Sequence, residues 1–268
     1  ILFLFVPLFF ALFAPKQSLA THIVGTDLRY ECLGNNIYRV HVYWYIYCDG
    51  ISGGGSSALQ FDSGTPLGLH FTNASGLPFG TFWCPSVSSA GCQNPSGCPE
   101  PTLVTPWQFV IDDYEDITPT CDQEQSVCSS GASNLAGVDQ GHYFADFDFS
   151  NVGSCTEWTL GIEEFARNGG ILNISNSGST GLYNDITIDL SISPCNNSPE
   201  FVNPPAPFFC VGESYIFNQG AQDADGDSLV YSLVPCREAT AAGGNLNGVN
   251  NLPINAGFTP TNFLPTNG

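Results

Sequence analysis

Ile37-Tyr38-Arg39-Val40-His41-Val42-Tyr43-Trp44-Tyr45-Ile46-Tyr47 is a run of β-branched and aromatic side chains broken only by Arg39 and His41. Such residues suit a pleated, half-buried surface and lose χ1 freedom in a helix, so the run predicts a strand. Asp27 to Cys32 predicts its partner, and Gly34-Asn35-Asn36 between them supplies residues that tolerate a tight hairpin turn. The aromatics are expected in a sheet core, the alternative being a carbohydrate-binding platform, and His41 is expected as a strand residue rather than a ligand.

The rest of the chain follows the same period. His142 to Phe149 alternates Tyr143, Ala145, Phe147 and Phe149 against Asp146 and Asp148. Trp158 to Glu163 is another candidate strand. Asn184 to Ile192 places Ile186, Ile188, Leu190 and Ile192 on one face, and all four are expected to be buried in the strand that closes the first domain. No amphipathic helix of ordinary length occurs, so the expected fold class is all-β.

Composition narrows the setting. The chain has 268 residues, 25 acidic and five basic, a formal charge of −20. Such a surface repels nucleic acid and anionic lipid and suits divalent cations. Ile1 to Ala14 is apolar apart from Pro7, and Pro15-Lys16-Gln17-Ser18-Leu19-Ala20 follows. That is the apolar region and small-residue end of a secretory signal over residues 1–20, too short to span a bilayer. With no methionine and an end at Thr266-Asn267-Gly268 in turn-like sequence, the chain is expected to be a piece of a longer one. Eleven cysteines in an exported chain predict disulfides rather than zinc, since Cys84, Cys92 and Cys98 lack ligand spacing.

Residues 21–195 form the first expected domain, a disulfide-bearing, β-sandwich-like unit with a Cys-, Gly- and Pro-rich insertion at 49–105 that carries the flexible tip Ser52-Gly53-Gly54-Gly55-Ser56-Ser57. The acidic run Asp112 to Asp116 is a solvated loop or, as the alternative, a second cation site. Ser193 to Pro207 is proline-rich and predicts a linker. Beyond it, residues 196–268 form a second domain in which Tyr215 to Asn218 and Leu229 to Val234 are strands and Ala239 to Asn251 is loop. Cys210 and Cys236 flank its acidic motif and are expected to be bonded.

That motif is Asp223-Ala224-Asp225-Gly226-Asp227. In extended chain, residues i, i+2 and i+4 share a face, so Asp223, Asp225 and Asp227 could converge on a hard cation, most simply Ca²⁺. A solvated acidic turn is the alternative. An EF-hand loop starting at Asp223 is excluded, because Ser228 and Val234 stand where Gly and Glu are required. Gly226-Asp227-Ser228-Leu229 spells an esterase signature, but no histidine lies downstream of it to act as base. Gly50-Ile51-Ser52-Gly53-Gly54 fits the letters of a nucleophile elbow, yet the glycine-rich tip cannot form the helix that must follow. No catalytic residue is expected.

Thr21-His22-Ile23-Val24-Gly25, then Tyr30-Glu31-Cys32-Leu33-Gly34-Asn35-Asn36-Ile37-Tyr38, then Tyr47-Cys48-Asp49-Gly50 resembles the opening of Bacteroidetes-type exported surface proteins, the gliding-motility-associated substrates of type IX secretion. Where that family has Cys-Cys before Arg-Asn, this chain has Phe165-Ala166 before Arg167-Asn168. The second domain is similar to cadherin-like and PKD-like repeats, in Asn196-Asn197-Ser198-Pro199-Glu200-Phe201 and in Asp223-Ala224-Asp225. The resemblance implies an incomplete Ig-like β-sandwich, further repeats downstream, and Ca²⁺ held at the junction by Asp223, Asp225 and linker oxygens near Asn197, with Glu213 serving the opposite end. The expected function is a non-catalytic, secreted cell-surface protein, a calcium-rigidified stalk or adhesin segment with a polysaccharide or protein ligand. The alternative is a carbohydrate-binding or accessory module of a secreted polysaccharide-degrading enzyme.

Overall fold

The structure, a computed structural model, describes residues 23–48, 81–83, 101–109, 115–120, 124–129, 133, 135–152, 157–165, 167–191, 195–203, 216, 218–239 and 249–258. The expected signal at 1–20, the glycine tip with Ser52, Cys210 and Glu213 lie outside these residues. Among the described residues, the regular structure is antiparallel sheet apart from one 3₁₀ turn at Ser177–Ser179.

The hairpin forms as expected. β1 (Ile23–Gly34) and β2 (Ile37–Cys48) pair with Tyr30 opposite Val40, and Asn35 and Asn36 carry the turn at φ 54° and 61°. Asparagine is among the few non-glycine residues that enter this left-handed region readily. β6 (Gly137–Asp148) pairs along the other side of β2, with Tyr38 opposite Phe147. β4 (Thr102–Phe109) lies beyond β6, and the short β5 (Glu115–Asp116) pairs with the start of β6, Asp116 opposite Asp139.

The second sheet has the order β12-β11-β8-β7-β3. β3 is Thr81–Trp83, β7 Glu157–Phe165, β8 Gly181–Asp189, β11 Arg237–Ala239 and β12 Val249–Asn251. A separate pair, β9 (Glu200–Phe201) and β10 (Ala221–Gln222), stands apart. The two large sheets share one core. Tyr30, Tyr38, Val40, Ala145, Phe147 and Phe149 from the first sheet and its β6 end pack on Trp158, Leu160 and Ile188 of the second. This is a sandwich-like, all-β arrangement bonded across Cys32 and Cys195. Among the described residues no helix is long and apolar enough to cross a membrane.

Several expectations change. The insertion at 49–105 contributes β3 and the start of β4, so it is not purely loop. Ile188 is buried and Thr187 exposed, as the alternation requires, but Ile186 and Leu190 are only partly buried against the core. Ile192 lies outside the described residues. β8 is a central strand, not the closing one, because β11 pairs on its far side at Arg237 and Tyr183.

That pairing cuts across the expected boundary between 21–195 and 196–268. Arg237–Ala239 and Val249–Asn251 belong to the first domain's second sheet, and the expected loop at 239–251 contains β12. Ile254 bridges Ile174, and Leu252 is buried. Leu229 to Val234, expected as a strand, has no ladder partner among the described residues, and Val230 is 94% exposed. Its side chains are apolar on both faces, which is stable only between flanking strands. Cys236 carries a free thiol, so the bond to Cys210 is not formed.

Candidate functional site

The proline-rich linker is a strap. It starts at the Cys32–Cys195 bond and runs back along β1, the edge strand of the first sheet. Ser198 N–H donates to the Tyr30 carbonyl at 3.0 Å, and Tyr30 N–H donates to Ser198 Oγ at 2.8 Å. Cys32 N–H donates to Asn197 Oδ1 at 2.8 Å, and Arg29 forms an ion pair with Glu200. Side-chain oxygens thus occupy ladder donors that an uncovered edge would leave open to another chain.

The acidic loop docks onto this strap. Asp225 receives the Asn197 backbone N–H at 2.6 Å, and the Asn197 side-chain amide at 3.1 and 3.2 Å. Asp223 Oδ1 accepts the N–H groups of Asp225 and Asp227 at 2.9 and 3.0 Å, closing a turn in which Gly226 sits at φ 83°. The loop is therefore bent rather than extended, and the three carboxylates do not meet at a point. Asn197 stands beside Asp225, but as its hydrogen-bond donor rather than through an oxygen turned toward a shared cation. Its Oδ1 is committed to Cys32 and its amide N–H groups face Asp225. The oxygens left for a hard cation are Asp223 Oδ2 and the Asp227 carboxylate. The carboxylates of Asp189, Asp223 and Asp225 lie close enough to Tyr30 to raise its phenol pKa, chiefly a burial effect, still further.

A second cluster lies at the β5–β6 corner. Oxygens of Asp116 and Asp139 and Cys128 Sγ lie within 4.8 Å of one another. Cys128 is disulfide-bonded, so it offers no thiolate and the set reduces to two carboxylates. Gly137 permits this approach: a Cβ there would stand 2.3 Å from Ser126 Oγ. Burial works against the Asp116 carboxylate, but hydrogen bonds from Ser126, Ser129 and Thr118 outweigh it and hold its pKa low. Among the described residues, Asp139 has no such donors. Burial, then the neighbouring Asp116 charge, push it up to about 6. Asp116 lay in the run noted from sequence; Asp139 is distant in sequence and only strand pairing reveals it.

This split has a pH consequence. Asp139 binds its proton more tightly folded than unfolded, so its charge penalises the fold as pH rises from about 4 to about 6. Discounted for solvent screening, the penalty is about 1 to 2 kcal/mol above that window. Asp139→Asn should therefore melt higher than the parent at pH 8 and the same at pH 4, in paired thermal scans. An equal gain at both pH values would place the effect in packing instead.

The outward face of the first sheet groups His41, His142, Tyr43, Arg29 and Arg39. His41 Nδ1 lies 2.8 Å from His142 Nε2, and Tyr43 stacks on His142 at 4.2 Å. Burial first, then Arg29, His142 and Arg39, push His41 down to about 3, so it stays neutral. Tyr38 and Trp44 point the other way, into the core, and Tyr43 lies beneath Arg29. Tyr38, Tyr43 and Trp44 therefore do not form an exposed platform.

Comparison with protein-family models, with curated proteins and with solved structures finds no match to this chain.

Proposed function

We propose that this chain is a segment of an exported, non-catalytic cell-surface protein, a stalk or adhesin element stiffened at its strap by calcium. The observation that carries the reading is the docking of the acidic loop on the strap: Asp225 on Asn197, and Asn197 on Cys32 beside the Cys32–Cys195 bond. A joint bonded covalently and by charge-assisted hydrogen bonds transmits force with little bending. Burial of Tyr38 and Trp44 supports a structural sheet over the accessory-module alternative. The high negative charge suits an exterior rich in divalent cations.

Calcium enters at Asp223 and Asp227, whose remaining oxygens accept none of the loop's hydrogen bonds. Binding to the folded state adds RT ln(1 + [L]/Kd), about 2.7 kcal/mol at a hundredfold excess over Kd. The melting temperature should therefore rise in millimolar Ca²⁺ relative to chelator, and magnesium should substitute poorly because it demands a tight octahedral shell. Asp223→Ala with Asp227→Ala should abolish the gain. Asp225→Ala should lower stability in both buffers and keep the calcium increment. An unchanged melting temperature on adding calcium reduces the triplet to a solvated turn.

A further inference from the structure

A cleft of about 690 Å³ opens at the β1 edge of the sandwich, between the ends of β1 and β2, the 168–171 turn and the strap with its neighbour Gln219. That volume lies within the range of small-ligand sites. Tyr47 and Phe201 are incompletely buried and supply aromatic surface, and the ring of Tyr45 lies behind them. Three carboxamides supply the polar groups. Asn168 Oδ1 accepts the Gly170 N–H, which leaves its amide N–H groups for a ligand. Asn203 donates to the Asn218 carbonyl, which leaves its Oδ1 as an acceptor. Gln219 is exposed and offers both.

Among the described residues lining the cleft there is no Lys or Arg, and Asp27 is the one carboxylate. Burial raises the Asp27 pKa, against the opposing effects of its Leu28 hydrogen bond and of Arg29. An anionic ligand would meet no cation here and the field of a chain with charge −20. A purely apolar ligand would leave the carboxamides and Asp27 unsatisfied. What satisfies both sets is a molecule with C–H faces for the rings and hydroxyls that both donate and accept.

We propose that the cleft formed by Tyr47, Phe201, Asn168, Asn203, Gln219 and Asp27 binds a neutral, hydroxyl-rich saccharide, a short stretch of surface polysaccharide. This extends the adhesin reading by giving it a ligand class. The site is incomplete without the strap, because Phe201 and Asn203 belong to it, so ligand binding and strap docking are coupled.

The test is calorimetric titration of the full chain with neutral gluco-, xylo- and manno-oligosaccharides, an oligogalacturonate as the anionic probe, and choline as the cationic one. Each titration is run in calcium and in chelator, so failure of the calcium joint and failure of the cleft are distinguishable. At least one neutral oligosaccharide should bind with a Kd at or below about 1 mM, and the oligogalacturonate and choline should not. Tyr47→Ala and Gln219→Ala should each weaken binding by about tenfold or more while leaving the melting temperature within the parent's range. Absence of binding by every neutral sugar, tighter binding of choline or oligogalacturonate, or binding that survives both substitutions would overturn the proposal.

Discussion

Replacing Cys32 and Cys195 together by alanine should destabilise the protein by about 5 kcal/mol, the largest effect expected of any change at the strap. The bond closes a loop of sequence separation 163, and the chain-entropy model rises with the logarithm of that length. A domain of ordinary stability has about 5 to 15 kcal/mol in all, so the double variant should be partly unfolded near body temperature. The damage should start locally. The strap's remaining contacts with β1 include the buried Tyr30–Ser198 pair and, only partly buried, the Cys32–Asn197 bond, the Asn196–Tyr30 side-chain bond and the Arg29–Glu200 ion pair. The Tyr30 and Cys32 amides should then exchange first and the paired strands of β2 and β6 last. Denaturant titration with hydrogen exchange checks both statements. A loss under about 1 kcal/mol would mean that the strap holds without its covalent end.

The alternating strands were the readable part of this chain. Tyr38, Val40, Val42 and Trp44 on one side of β2, and Ala145, Phe147 and Phe149 on one side of the β6 segment, announce a sheet face because the side-chain period is two. The Asn35-Asn36 turn is legible for an equally local reason, its tolerance of positive φ. What failed is long-range. Arg237–Ala239 and Val249–Asn251 are too short and too polar to show a period, and their strand state comes from pairing with β8 and with each other. Leu229 to Val234 shows the converse, since β propensity with no pairing strand among the described residues makes no ladder. The acidic triplet was visible, but its geometry depended on Gly226 and on Asp223 accepting backbone donors within its own turn, which bends the extended register. Asp139 was invisible as a site residue because an isolated acid in a strand signals nothing until Asp116 is paired opposite it.

Arg167 shows most directly how the C-terminal segment is joined to the rest. It is 7% exposed, and its Nε donates to the Gly181 carbonyl at 2.9 Å while a terminal nitrogen donates to the Arg237 carbonyl at 2.8 Å. Gly181 lies on β8 and Arg237 on β11, so one planar guanidinium spans the seam between the two strands. Glu238 accepts the Gly181 N–H, and Arg237 is paired to Asp185 through two hydrogen bonds. Burial lowers the Arg167 pKa, opposed by nearby Cys236 and Glu238, so the charge is held against its desolvation by these contacts. Arg167→Ala should destabilise the protein by about 3 kcal/mol, because two partly buried carbonyls lose their donors and the buried side-chain volume is left empty. Arg167→Lys should recover little, since one ammonium on a flexible stem cannot reproduce two donors at a fixed angle. Amide exchange of β11 and β12 should accelerate in both variants while β1, β2 and β6 stay protected. If residues 196–258 folded as an independent unit, loss of Arg167 would leave exchange in β11 and β12 untouched. Acceleration confined to those strands is the signature of a chain whose C-terminal segment completes the second sheet.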